Sequence, residues 1–105
     1  MMSGIRVVHF RKSKYDIYIG RPSKFGNPFI IGRDGSRDEV ISKFREWIYT
    51  GNNFGNADAE EWKREWILSS LKSLEGKTLG CWCAPNACHG DVLKELFESM
   101  NNEKT

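Results

Sequence analysis

Three thiols and one imidazole fall within nine residues of this chain, at Cys81, Cys83, Cys88 and His89. The spacing, C-x-C-x4-C-H, offers four ligands of the kinds zinc prefers. It is narrower than the C-x2-C pairs of most structural zinc sites, and a C-x-C on a strand facing an adjacent Cys-His would be cramped. The spacing therefore weighs against a tightly held metal. No cofactor is expected, with zinc on Cys81, Cys83, Cys88 and His89 as the alternative; Cys81 by itself also reads as a small core residue. A second chemistry treats Cys83 or Cys88 as a thiolate, activated by His89 and by the amino end of a helix starting near Gly90, whose free N–H groups lower a nearby thiol pKa. Asp91 falls in the first turn of that helix. There it either caps the helix or serves as a base or hydroxyl-binding carboxylate. The catalytic candidates are Cys83, Cys88, His89 and Asp91.

A second group precedes it in residues 20–29, GRPSKFGNPF. Arg21, Ser23, Lys24 and Asn27 supply two cations, a hydroxyl and an amide within seven residues, and Gly26 permits close approach of backbone to a ligand. The run is neither a Walker A loop nor a dinucleotide fingerprint, since the glycines lack both the spacing and the G-K-[ST] ending. Its composition suits an anionic ligand, so Arg21, Ser23, Lys24 and Asn27 are the binding candidates. His9, on an expected strand, reads as a satisfied sheet histidine. The tryptophans at 47, 62, 66 and 82 mostly read as core packing.

These groups need elements to hold them. The run KTLGCWC at 77–83 reads as a short strand with Cys81 and Cys83 on one side and Trp82 on the other. Val92, Leu93, Leu96, Phe97 and Met100 then recur at helical spacing, so the thiol cluster sits at a strand-to-helix crossing, where α/β proteins place binding groups. Residues 5–10 and 16–20 are rich in β-branched and aromatic side chains, and the polar turn between them predicts a hairpin or neighbouring strands. Ser36 and Glu39 have the spacing of a capping box, and Val40, Ile41, Phe44, Trp47 and Ile48 form the apolar stripe of a helix over about 37–49, ended by Gly51. Asp58 opens a second pattern that places Trp62, Trp66, Leu71 and Leu74 on one face up to Gly76. The order β, β, loop, α, α, β, loop, α predicts α/β, or α+β: a short sheet of about three or more strands with three helices packed on it.

At 105 residues, with 39% hydrophobic, 12% aromatic and 29% charged residues, the chain is expected to fold as a single domain over residues 1–105. No apolar run is long enough to span a bilayer and the start lacks the apolar core of a signal peptide, which predicts a cytoplasmic protein without a membrane partner. An odd cysteine count argues for free or reactive thiols over a disulfide framework. The net charge of +2 hides an asymmetry. Residues 1–35 hold seven Lys or Arg against two Asp, a balance of +5, whereas the remainder holds nine against twelve, a balance of −3. A basic first third fits a nucleotide or a nucleic-acid backbone, or else lysines guarding a sheet edge.

Taken together, YIGRPSKFGNPF at 18–29, GRDGSRDEVI at 32–41 and GKTLGCWCAPNACHGDVL at 76–93 resemble an uncharacterised family of phages and bacteria, domain of unknown function 4326. The likeness covers about residues 5–98. It implies that the two loops travel together as a signature and build one site, and it carries no activity over.

The leading expectation is a domain that binds, with or without processing it, a nucleotide or nucleoside-derived ligand between the 21–29 and 83–91 loops. Arg21 and Lys24 would hold phosphate, Asn27 and Asp91 base or ribose, and Cys83, Cys88 and His89 the reactive end. The rivals are a non-enzymatic phage or bacterial interaction module with a structural thiol cluster, and single-stranded nucleic-acid binding through the basic first third and exposed aromatics.

Overall fold

The computed structural model describes residues 4–84 and 86–102, of residues 101 and 102 the backbone alone. Pro85, part of the expected turn between the thiols, lies outside the described residues. Strand β1 spans Arg6–His9, β2 Ile17–Tyr18 and β3 Thr78–Cys81; helix α1 spans Arg37–Thr50, α2 Glu61–Ser70 and α3 His89–Asn102, with a 3-10 turn at Leu71–Leu74. The fold is α/β, as the order of elements predicted, with a three-stranded parallel sheet.

The expected hairpin is not formed. The strand order is β1-β3-β2, so the last strand inserts between the first two and pairs with both in parallel. Val7 and Ile17 flank Leu79, while Val8 and Tyr18 flank Gly80. A hairpin would leave β3, whose Leu79, Gly80 and Cys81 are buried, on a sheet edge; the apolar strand takes the centre instead. Pairing extends past the strand ends through Asp16 N to Thr78 O at 2.8 Å and Ile19 N to Gly80 O at 2.9 Å.

This order forces an unusual connection. Parallel strands are normally joined by a crossover of a dozen residues or more. Here residues 10–16 alone must return from the carboxyl end of β1 to the start of β2, across β3. They do so flat against the sheet, which only a glycine in β3 allows: a Cβ on Gly80 would lie 2.8 Å from Tyr15 Cγ and 3.2 Å from Phe10 Cβ.

The other face takes the helices. Leu79 and Cys81 point into the core with Ile5, Ile19, Val92 and Leu93, all nearly inaccessible. Helix α3 settles closely because its second residue is Gly90, where a Cβ would come within 2.7 Å of Ile19 Cδ1. The α1 capping box forms: Glu39 N donates to Ser36 Oγ at 3.3 Å and Ser36 N to Glu39 Oε1 at 2.8 Å, an arrangement of about 1 kcal/mol. The helix buries Val40, Phe44, Trp47 and Ile48 and ends at Gly51.

Helix α2 departs from the reading. Asp58 does not cap it; the helix begins after Glu60 without a side-chain cap, and Asp58 instead pairs with Arg33 at 3.1 Å. Burial centres on Ile67, Leu71 and Leu74. Trp62, five residues before Ile67, is turned about 140° from that direction at 3.6 residues per turn, and is 51% exposed. Among the described residues no helix is long and apolar enough to cross a membrane.

Candidate functional site

Three parallel strands end on the same side, so the segments after β2 and β3 meet at one edge of the sheet. The two loops converge there around a pocket of about 90 Å³. Arg21 and Asn27 line it from the first loop, and Cys81, Trp82, Cys83, Cys88 and His89 from β3 and the segment that follows. Phe29, Val40 and Ile41 supply an apolar wall. Ser23 and Lys24 do not reach it. They line a neighbouring pocket of about 330 Å³ with Trp62, Lys63 and Asp58, and Arg21 and Asn27 border both. Asp91 lines neither.

The polar groups here serve structure before chemistry. The buried Asn27 donates from Nδ2 to Val40 O at 3.2 Å and accepts Phe29 N–H on Oδ1 at 2.9 Å, tying the loop to α1. Arg21 Nη1 donates to Asn27 O at 2.8 Å, which draws the guanidinium across the loop while leaving Arg21 exposed. Asp91 Oδ2 accepts Cys88 N–H at 3.1 Å, the reciprocal half of a helix cap. Ser23 Oγ is buried without a partner among the described residues.

His89 is a buried clamp. Its Nε2 lies 2.9 Å from Ile19 O and 3.0 Å from Phe25 O. Carbonyls only accept, so Nε2 carries the proton and Nδ1 faces Cys88 Sγ as an acceptor at 3.6 Å. Burial drives the imidazole pKa down to about 4, outweighing the two carbonyls, which favour the cation. At neutral pH the ring is uncharged.

The thiols divide accordingly. Cys88 is buried, its single S–H shared between His89 Nδ1 and Cys81 Sγ, and its pKa is pushed up first by its hydrogen bond with Cys81 and then by burial. Cys81 accepts that bond together with Ala84 N–H at 3.4 Å, which lowers its pKa despite burial. Cys81, a position whose sequence pattern read as core or metal ligand, is thus the thiol held below its ordinary value. Cys83 is the partly exposed thiol. Among the described residues no group of three or more His, Cys, Asp or Glu is placed to hold a metal ion, consistent with His89 turning Nε2 onto carbonyls.

The sequence reading passed over Trp82 as a site residue. Its alternation with Cys81 and Cys83 was the available signal, because a residue turned away from the core at a strand's carboxyl end faces the rim. Trp82 Nε1–H donates to Tyr18 Oη at 2.6 Å, and that hydroxyl donates to Arg21 O at 3.2 Å. The two loops are joined by this chain at the rim and by His89 in the interior.

The molecule is thus a small parallel-sheet α/β domain with a thiol-lined pocket at the carboxyl edge of its strands. The chain belongs to the family described as Domain of unknown function (DUF4326), whose model matches residues 6–99 and so takes in both loops. It is 34% identical over 96 residues to an uncharacterised 12.4 kDa protein from the nrdA-td intergenic region of Enterobacteria phage T4, covering 90% of this chain and 79% of the phage protein. It is 30% identical over 101 residues to an uncharacterised protein of Acanthamoeba polyphaga mimivirus, covering 79% of this chain and 67% of that protein. No solved structure matches.

Proposed function

We propose that the pocket between the two loops binds a nucleotide or nucleoside-derived ligand. The observation that carries this reading is the pairing, at one rim, of the exposed Arg21 guanidinium with the indole of Trp82 beside a pocket walled by Phe29, Val40 and Ile41. A guanidinium fits phosphate by two parallel hydrogen bonds, an indole stacks on any base, and a pocket of about 90 Å³ admits a sugar-sized group while the rest of the ligand lies across the rim. Lys24, in the adjoining pocket, would meet a second phosphate.

Of the candidate reactive groups, Cys83 is the thiol a bound ligand would meet, with Cys81 behind it. His89 acts by holding the loops together, and Asp91 by fixing the start of α3. Binding supports itself on these contacts, and any processing would fall to the thiols.

Thermal-shift and calorimetric titration with nucleosides and nucleoside mono- and diphosphates test the proposal. A saturable ligand whose affinity falls at least about tenfold in Arg21→Lys, the loss expected when a bidentate contact is replaced by a point charge, supports it. If no member of the series binds, the reading as an interaction module replaces it.

A further inference from the structure

The face of the sheet opposite the helices presents aromatic rings and cations. In register, Val8, Gly80 and Tyr18 point to this side, and Phe10 and Trp82 follow Val8 and Gly80 two residues on, past the ends of β1 and β3. Phe10 and Trp82 pack with ring centroids 4.4 Å apart, Phe10 meets Tyr18 at 5.5 Å, and Tyr15 meets Tyr18 at 6.3 Å. Trp82 is still 53% and Tyr15 42% exposed. The Arg11 guanidinium lies 5.0 Å from the Trp82 ring centroid and 5.4 Å from that of Phe10.

The connection over this face carries Arg11, Lys12 and Lys14, all exposed. None has an ion-pair partner among the described residues. The one acid on the segment, Asp16, is occupied, its Oδ2 accepting Thr78 N–H at 2.8 Å. Trp82 belongs both to this face and to the pocket, and hydrogen bonds link it through Tyr18 to Arg21.

We infer that this face is a platform for single-stranded nucleic acid, with bases on Trp82 and Tyr15, phosphates on Arg11, Lys12 and Lys14, and the strand running to the pocket rim at Arg21. Exposed rings beside unpaired cations are what a single strand requires, since each base offers a π-face and each linkage a charge. A duplex hides its bases and leaves the rings unused. The seating of one nucleotide of the strand in the pocket rests on the reading of that pocket given above; the platform stands on its own residues.

Fluorescence anisotropy with labelled oligothymidylate dT10, competed by dTMP, a ten-pair duplex and polyphosphate of similar length, tests this. The inference predicts that dT10 binds at least about tenfold more tightly than dTMP or polyphosphate, and that the duplex competes weakly. Trp82→Ala weakens dT10 by at least about fivefold, the lower bound for loss of one stacked base. The triple variant Arg11→Ala, Lys12→Ala, Lys14→Ala weakens dT10 by at least about tenfold and flattens the salt dependence of what binding remains, while leaving dTMP affinity and thermal stability in place. If dTMP binds and dT10 is no tighter, the platform is refuted and the pocket reading survives. If dT10 binds and dTMP does not, the platform stands and the pocket reading fails. Equal binding of polyphosphate or duplex would show a bare electrostatic surface and overturn the inference.

Discussion

His89 Nε2 lies 2.9 Å from the carbonyl oxygen of Ile19, seventy residues earlier in the chain, and so fastens the first turn of α3 to the loop that leaves β2. The same proton reaches Phe25 O at 3.0 Å, so a single imidazole braces the entry and the middle of the first signature loop against the second.

Because this ring is buried neutral, its proton count couples to stability. The folded pKa of about 4 lies below the ordinary 6.5, so between these values the unfolded chain binds the proton that the folded one refuses. Stability therefore falls as pH drops from about 6.5 to 4, by on the order of 3 kcal/mol from this group. Urea unfolding across that range in the wild type and in His89→Gln, which keeps a donor that does not titrate, measures the term by difference. Equal pH dependence in both would show that His89 is not buried neutral.

Thiol accessibility follows the burial of the three cysteines. Cys83 is partly exposed while Cys81 and Cys88 are buried. Ellman's reagent should titrate one thiol rapidly in the native protein and three after denaturation. Cys83→Ser should remove the fast phase. Three fast thiols in the native state would contradict the packing described.

Asn27 is a strut whose removal is felt in folding before binding. Asn27→Ala strands Phe29 N–H in a buried setting and removes the second donor to Val40 O, which keeps its helical bond, at about 1–3 kcal/mol for the amide left unsatisfied. Chemical denaturation should show a loss in that range. An unchanged midpoint would mean that the loop is held by something else.

Gly80 should resist enlargement. Gly80→Ala sets a methyl 2.8 Å from Tyr15 Cγ, so the connection must lift from the sheet, at the roughly 1–3 kcal/mol typical of overpacking. A loss of stability together with raised Tyr15 exposure, read by fluorescence quenching, is the expected result.

The parts legible in the sequence are those set by local chemistry. Ser36 and Glu39 fixed the start of α1 and the apolar stripe fixed its buried face, because a capping box and a 3.6-residue period act within a few residues. The meeting of the 21–29 and 83–91 loops was likewise readable from two runs of polar and turn-forming residues at the ends of strand patterns. The strand order was not. Nothing local in residues 5–20 distinguishes a hairpin from two strands parted by a third arriving sixty residues later; the decision rests on the buried Leu79 and Cys81 and on the missing side chain of Gly80. The cap at Asp58 failed because an exposed carboxylate within reach of Arg33 has a competing partner. Trp82 was read as packing because its exposure depends on β3 ending at Cys81.

The central claim is that one pocket, built by both loops, takes a nucleotide. Its most direct measurement is amide and indole chemical-shift mapping of the labelled protein during titration with a nucleoside monophosphate. The account predicts saturable shifts centred on Gly20, Arg21, Cys83 and His89 and on the Trp82 indole, with one affinity for all. Absence of shifts at saturating ligand, or shifts centred away from these residues, would contradict it.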